Sequence, residues 1–274
     1  MGQKVGATTS CYTGFDLDDA LRGISKAGLN YVELSAMFIP CDTKADIAEH
    51  VVPEKMSHDD IKCLETTLRQ HSLSPMSISG HSDLVKSEGV GALRKRIDLA
   101  KRIGAKIVNT KAGDPSSEED VRSFYKNVSD LAEYAADKGV IVALETGGAF
   151  CSNGKEAVRI LQKIDSEYIR LNYDTANVIY YVDTKPEEDI EHTIDYLVHV
   201  HVKDKRGGKG VYDFPALGKG NIDFVKIFDI LSRHNYNGPL SIEIEFDGKR
   251  NESLDDVDKA VKESCQFLKQ FVQF

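Results

Sequence analysis

Three stretches, KAGLNYVEL (26–34), RIGAKIVNT (102–110) and DKGVIVALE (137–145), share one pattern. In each, an amphipathic segment ends at a glycine (Gly28, Gly104 or Gly139) and a short run rich in β-branched and other apolar residues follows at once. Glycine is favoured just past a helix end because that position often needs positive φ. Each stretch therefore reads as a helix, a stop and a strand. The segments FDLDDALRGISKAG (15–28), GALRKRIDLAKRIG (91–104) and SFYKNVSDLAEYAADKG (123–139) supply the helical halves.

Working outward from these units, strands are expected near residues 4–9, 30–35, 74–79, 106–110, 140–145, 169–174, 197–202 and 239–245. Strict alternation of strand and helix implies a parallel sheet, and eight units of roughly 30 residues imply a closed barrel. The expectation is an α/β fold, a (β/α)8 TIM barrel, formed as a single domain over residues 1–274. A doubly wound open sheet is the alternative, but no GxGxxG turn follows the first strand.

Composition narrows the function classes. The chain has 274 residues, 41% hydrophobic and 29% charged, with a net charge of −9. That balance suits a soluble globular protein and gives no general attraction to nucleic acid or to an anionic membrane. No apolar run approaches the length of a membrane span, and MGQKVGATTS (1–10) lacks an apolar leader core. Five scattered cysteines (Cys11, Cys41, Cys63, Cys151 and Cys265) form no CxxC pair, which points to free thiols in a reducing cytoplasm. A cytoplasmic enzyme is expected.

A barrel carries its functional residues at the C-terminal ends of its strands. Those ends present Glu33, His81, Lys111, Glu145, Asp174, His201, Glu243 and Glu245. Each has a plain structural explanation. Asp174 could cap the following helix, Glu145 could pair with a lysine, and His201 could be a satisfied core histidine. Four such residues on the last four strands, Glu145, Asp174, His201 and Glu243, are harder to explain singly. Three carboxylates and an imidazole buried together are costly unless a cation offsets their charge. The cluster asks for a divalent metal ion. Oxygen-rich ligands with one imidazole suit Mn²⁺ first, with Mg²⁺, Co²⁺ or Zn²⁺ as alternatives.

The stretch VHVHVKD (198–204) fits the same reading. Alternation along a strand puts His199 and His201 on one face and the valines on the other. His201 lies nearer the mouth, as a ligand, and His199 deeper, as a supporting or packing residue.

VALETGG (142–148), LNYDTANV (171–178), HVHVKD (199–204) followed by ALGKGNIDF (216–224), and GPLSIEIEF (238–246) resemble the sugar isomerase/epimerase group of the xylose isomerase-like TIM barrels. The resemblance runs over nearly the whole chain and is densest from residue 140 onward. It implies a metal held by Glu145, Asp174, His201 and Glu243. By likeness to the ketose 3-epimerases, it gives Glu145 and Glu243 the catalytic task of moving a proton on opposite faces of a sugar. The implied reaction is isomerisation or epimerisation through an enediolate. Two positions depart from the ketose 3-epimerases, which have a histidine where this chain has Asn177 and an arginine where it has Gly207, with Arg206 one residue short. Inosose dehydratases share the barrel and a similar metal site, so a lyase is the alternative activity. A sugar-binding barrel without turnover is the non-enzymatic alternative. Endonuclease IV shares the scaffold but needs three zinc ions and more histidines.

The expected partner is a sugar or sugar derivative, with His81, Lys111, Asn177, Lys203, Arg206 and Glu245 as substrate contacts; no nucleic acid or membrane is expected, and a homo-oligomer is compatible with the sequence. KDKRGGKGVYDFPALGKGN (203–221) is rich in lysine and glycine and would be the place for a substrate phosphate, although an unphosphorylated sugar is favoured. MFIPCDTKADIAEHVVPEKM (37–56) is long for a connection and is expected to form a lid or an oligomer contact.

Overall fold

Eight parallel strands close into one barrel in the computed structural model, which describes residues 2–36, 51–249 and 251–274. The strands are β1 (Val5–Thr8), β2 (Tyr31–Ser35), β3 (Ser74–Ser79), β4 (Ile107–Thr110), β5 (Ile141–Glu145), β6 (Ile169–Asp174), β7 (Leu197–Val202) and β8 (Leu240–Ile242). Each pairs with its successor, and β8 pairs with β1 through Leu240 beside Val5 and Ile242 beside Ala7. All eight fall inside the ranges expected from the sequence. β8 is the shortest, because past Ile242 the chain leaves the barrel wall and forms a bridge between Phe246 and Phe214.

The intervening helices are α1 (Leu17–Lys26), α2 (His58–Gln70), α3 (Ser87–Ile103), α4 (Glu118–Lys138), α5 (Gly154–Ile164), α6 (Asn177–Val182), α7 (Pro186–Asp189), α8 (Phe224–Arg233) and α9 (Leu254–Leu268). Six of these helices start on a side-chain cap. Asp16, Ser57, Ser117, Asn153, Asp223 and Ser253 each accept from a backbone amide in the first turn. Gly28, Gly104 and Gly139 have φ of 90°, 88° and 65°, as the recurring helix–glycine–strand pattern requires. Of the long β2–α2 connection, residues 37–50 lie outside the described residues, and the expected lid falls largely there.

Residues such as Val32, Leu34, Ile78, Val108, Val142, Leu171, Val200 and Ile242 point outward from the strands and are buried under the helices. The inward positions hold polar groups. Glu33, Ser77, Asn109, Asn172, His199 and Ser241 are all 0% exposed. They form a polar layer inside the barrel, and the candidate site stands on it.

Candidate metal centre

Glu33 anchors that layer. Its Oε2 accepts from Ser77 Oγ at 2.8 Å and Ser241 Oγ at 2.6 Å. Its Oε1 accepts from Asn109 Nδ2 at 3.0 Å and lies 2.9 Å from His201 Nε2. Burial alone would raise the Glu33 carboxyl, but the His201 and His199 imidazoles outweigh it and hold the group well below the usual carboxylate range. His199 sits beside it, with Nε2 3.2 Å from Glu33 Oε2 and Nδ1 2.8 Å from Asn172 Oδ1. Burial keeps His199 below its ordinary pKa. Its ring meets that of His201 edge-on at 5.2 Å. The deeper histidine thus belongs to the polar layer, in the supporting position expected of it.

Two residues further along the same strands, the side chains reach the mouth. His201 Nδ1 is 3.0 Å from Glu145 Oε1 and 2.9 Å from Glu243 Oε2. Register sets Asp174 directly beside His201, and Glu243 follows the end of β8, its amide bonded to Val202 O. Donor atoms of Glu145, Asp174, His201 and Glu243 all lie within 4.8 Å of one another, and all four residues are buried. A second group, Glu33, His199 and His201, meets the same distance limit. There, however, both Glu33 oxygens are already taken by hydroxyl, amide and imidazole partners. The mouth cluster has the vacant valence. Asp174 Oδ1 accepts from the Ala176 and Asn177 amides, both at 2.8 Å, at the start of α6, whose N-cap is Ala176. Its Oδ2 is buried without a hydrogen-bond donor, and Lys203 Nζ is 3.8 Å away. Burial, reinforced by Glu243 and Glu145, pushes Asp174 up to about 8 despite Lys203. An acceptor this starved of positive charge fits a divalent cation, and three carboxylates with one imidazole are a suitable donor set.

The remaining expected residues divide. His81 Nε2 is 3.1 Å from Glu145 Oε2. Asn177 Nδ2 donates to Thr146 O at 3.2 Å and lies 3.4 Å from Glu145 Oε1. Lys203 is buried, with Nζ 2.8 Å from Glu245 Oε2 and 3.4 Å from Glu243 Oε1, over the Phe214 ring. These residues and Lys111 line one cavity of about 650 Å³ that opens above Glu145 and Glu243. Arg206 is not among its lining residues. That side chain is half-exposed, donates from Nε to Lys219 O at 2.9 Å and reaches toward Asp213. Lysine and glycine content says nothing about which way a loop turns its side chains, so the expectation for Arg206 has no support here.

The sequence reading passed over the aromatic wall formed by Tyr180, Tyr181, Tyr212 and Phe214. It also passed over the Ser10–Phe15 segment on the other side of the cavity. The paired aromatics in VIYYV (178–182) and VYDF (211–214) were the available signal.

Residues 21–271 match the xylose isomerase-like TIM barrel family. The chain belongs to that family. Among curated relatives, L-ribulose-5-phosphate 3-epimerase UlaE of Shigella flexneri is 24% identical over 197 residues, covering 70% of this chain and 66% of the relative. The match therefore spans just under two thirds of that relative's length. Among solved structures, D-allulose 3-epimerase from Methylomonas sp. in complex with D-allulose superposes with a TM-score of 0.74 at 21% identity, covering 98% of this chain and 97% of the other. A xylose isomerase-like TIM barrel protein from Mycobacterium smegmatis in complex with magnesium gives 0.76 at 18% identity, covering 98% and 97%. In this xylose isomerase-like barrel, no described helix is long and apolar enough to cross a membrane.

Proposed function

We propose that the chain is a divalent-metal-dependent sugar isomerase or epimerase of the cytoplasm, with Mn²⁺ the preferred ion. One observation carries the reading. Four buried donors from the ends of four successive strands converge within 4.8 Å, and Asp174 Oδ2 is among the buried carboxylate oxygens there that have no hydrogen-bond donor. The epimerases among the relatives, the D-allulose complex and the magnesium complex support it.

Glu145, Asp174, His201 and Glu243 would hold the ion, which when bound would act as a Lewis acid on a substrate carbonyl and stabilise the charge left by proton loss. The chain's own residues then have defined tasks. Burial would raise the Glu145 carboxyl, but His81 and His201 hold it down at about 2. Glu243 is likewise held low, burial being outweighed by Lys203 and His201. Both are therefore ionised at neutral pH and can accept a proton from carbon or return one. His81 beside Glu145 and Lys203 beside Glu243 give each base a polar neighbour that steadies its charge. Asn177 and Glu245 stand at the same cavity as hydrogen-bonding groups for sugar hydroxyls. The aromatic wall offers an apolar face to sugar C–H groups.

The experiment is a panel of free ketoses and aldoses assayed with added Mn²⁺ in D₂O. Isomerisation or epimerisation should place solvent deuterium on carbon. Net loss of water would move the assignment to a dehydratase. Binding without turnover of any sugar would leave a sugar-binding barrel.

A further inference from the structure

TIM barrels commonly hold a substrate phosphate in the loops after their seventh and eighth strands, on free backbone amides and a helix N-terminus. Here those places are filled by the chain's own carboxylates. Asp204, directly after β7, is 1% exposed. Its Oδ1 accepts from the Lys205 amide at 2.8 Å and the Ile222 amide at 3.3 Å, and its Oδ2 from the Gly218 and Gly220 amides at 2.9 and 2.8 Å. A Cβ at Gly220 would overlap Asp204 Oδ1, so glycine is what lets the loop close on the carboxylate. The glycine-rich turn is an anion nest whose anion is Asp204. After β8, the first turn of α9 is closed by a capping box. The Asp256 amide donates to Ser253 Oγ at 3.3 Å and the Ser253 amide to Asp256 Oδ2 at 3.0 Å.

The cations of the β7 loop are also engaged elsewhere. Lys205 Nζ donates to the carbonyls of Arg206 and Val211. Arg206 binds Lys219 O, and Lys219 Nζ is 3.6 Å from Glu263. Lys209 is exposed and is not among the residues lining the cavity. Among the described residues lining the cavity, the lysines are Lys111 and Lys203, and Lys203 is already within 2.8 Å of Glu245 and 3.4 Å of Glu243. Beyond the metal ligands, Glu245, Asp247 and Glu252 face them, with Lys249 sharing the charge of Asp247. A phosphate monoester carries roughly −1.5 to −2 charges at pH 7 and three strong acceptor oxygens. Among the described residues, Lys111 is left as the lining lysine without a carboxylate at ion-pair distance, and with Glu252 on the same rim its single charge does not offset that of a phosphate.

We infer that this site takes an unphosphorylated sugar whose end away from Glu145 and Glu243 is neutral. The inference rests on the sugar isomerase/epimerase reading and separates this chain from the phosphorylated ketose named for its curated relative.

The test compares free pentuloses and hexuloses with their terminal phosphate esters, on Mn²⁺-loaded wild type and Glu252→Lys. Wild type should favour the free sugar in kcat/KM by about a hundredfold, the size expected when like charges meet in a confined site. Glu252→Lys should narrow that ratio about tenfold, through KM for the ester. A wild type that prefers the ester, or a ratio unmoved in Glu252→Lys, overturns the inference. Should neither compound be turned over, the epimerase reading fails separately. Thermal shift then decides the charge question: the free sugar should raise Tm and the ester should not, and a larger rise with the ester refutes the inference.

Discussion

His201 Nε2 lies 2.9 Å from Glu33 Oε1 while Nδ1, on the other edge of the ring, faces Glu145 and Glu243 at 3.0 and 2.9 Å. The ring is therefore held by a buried carboxylate below and offered to two carboxylates above. A carboxylate behind a ligating histidine fixes its orientation and raises its basicity, and losing one typically costs about 10–100-fold in metal affinity. Glu33→Gln should weaken Mn²⁺ binding by that factor in titration calorimetry. Unchanged affinity would mean that a neutral side chain at position 33 suffices to position His201.

The two histidines should differ. Protein purified without chelator should carry about one divalent ion per chain, the stoichiometry of a single site. His201→Ala should lose most of it. His199→Ala should retain more ion but lose stability, since it leaves Glu33 and Asn172 with fewer partners in a fully buried layer. Elemental analysis and urea unfolding of the two variants separate these effects, and equal metal content in wild type and His201→Ala would refute the assignment.

Glu145→Gln and Glu243→Gln each remove a ligand charge and a base. At saturating Mn²⁺ both should still bind sugar, with turnover lower by roughly a hundredfold or more, the scale of a lost general base. Steady-state kinetics and binding measured at equal metal occupancy check this. A variant that keeps kcat while losing only metal affinity would limit that glutamate to holding the ion.

Much of this architecture can be read along the chain. The helix–glycine–strand recurrence at Gly28, Gly104 and Gly139 locates the barrel, because positive φ at a helix end and β-branched runs are local effects. The mouth cluster is legible because strand order and strand ends follow once the barrel is recognised. The polar layer is legible too, though only with the period-two rule applied backwards. Asn109, Asn172, His199 and Ser241 each lie two residues before a rim residue (Lys111, Asp174, His201 and Glu243), and Ser77 four before His81, hence on the same inward face. The orientation of Arg206, the enclosure of Asp204 and the Phe214–Phe246 bridge were not legible. They depend on long-range loop packing, for which lysine and glycine content carries no directional information.

Thiol reactivity follows from burial. Desolvation pushes Cys11 and Cys151 up to about 12, whereas Cys63 is exposed. A thiol with a pKa near 12 has about one part in ten thousand as thiolate at pH 8, and the thiolate is the nucleophile. Among the four described cysteines, iodoacetamide at pH 8 should modify Cys63 in the folded protein and leave Cys11 and Cys151 intact until urea is added. Peptide mapping by mass spectrometry reads this directly. Labelling of Cys11 at the rate of Cys63 would mean that the β1–α1 segment opens readily.

Asp204 offers a test of the loop as a self-filled anion nest. Asp204→Gly removes the acceptor from four backbone amides, two of them on glycines in the turn. An unsatisfied buried donor costs about 1–3 kcal/mol, and partial entry of water should hold the total loss to about 2–5 kcal/mol. Urea unfolding measures that loss. The emptied nest should then accept an inorganic anion, because the amides still converge on one point. Millimolar phosphate should restore part of the stability of Asp204→Gly and leave wild type unchanged. An equal response in both proteins would show that the wild-type amides are open to phosphate, contrary to the four hydrogen bonds that Asp204 accepts.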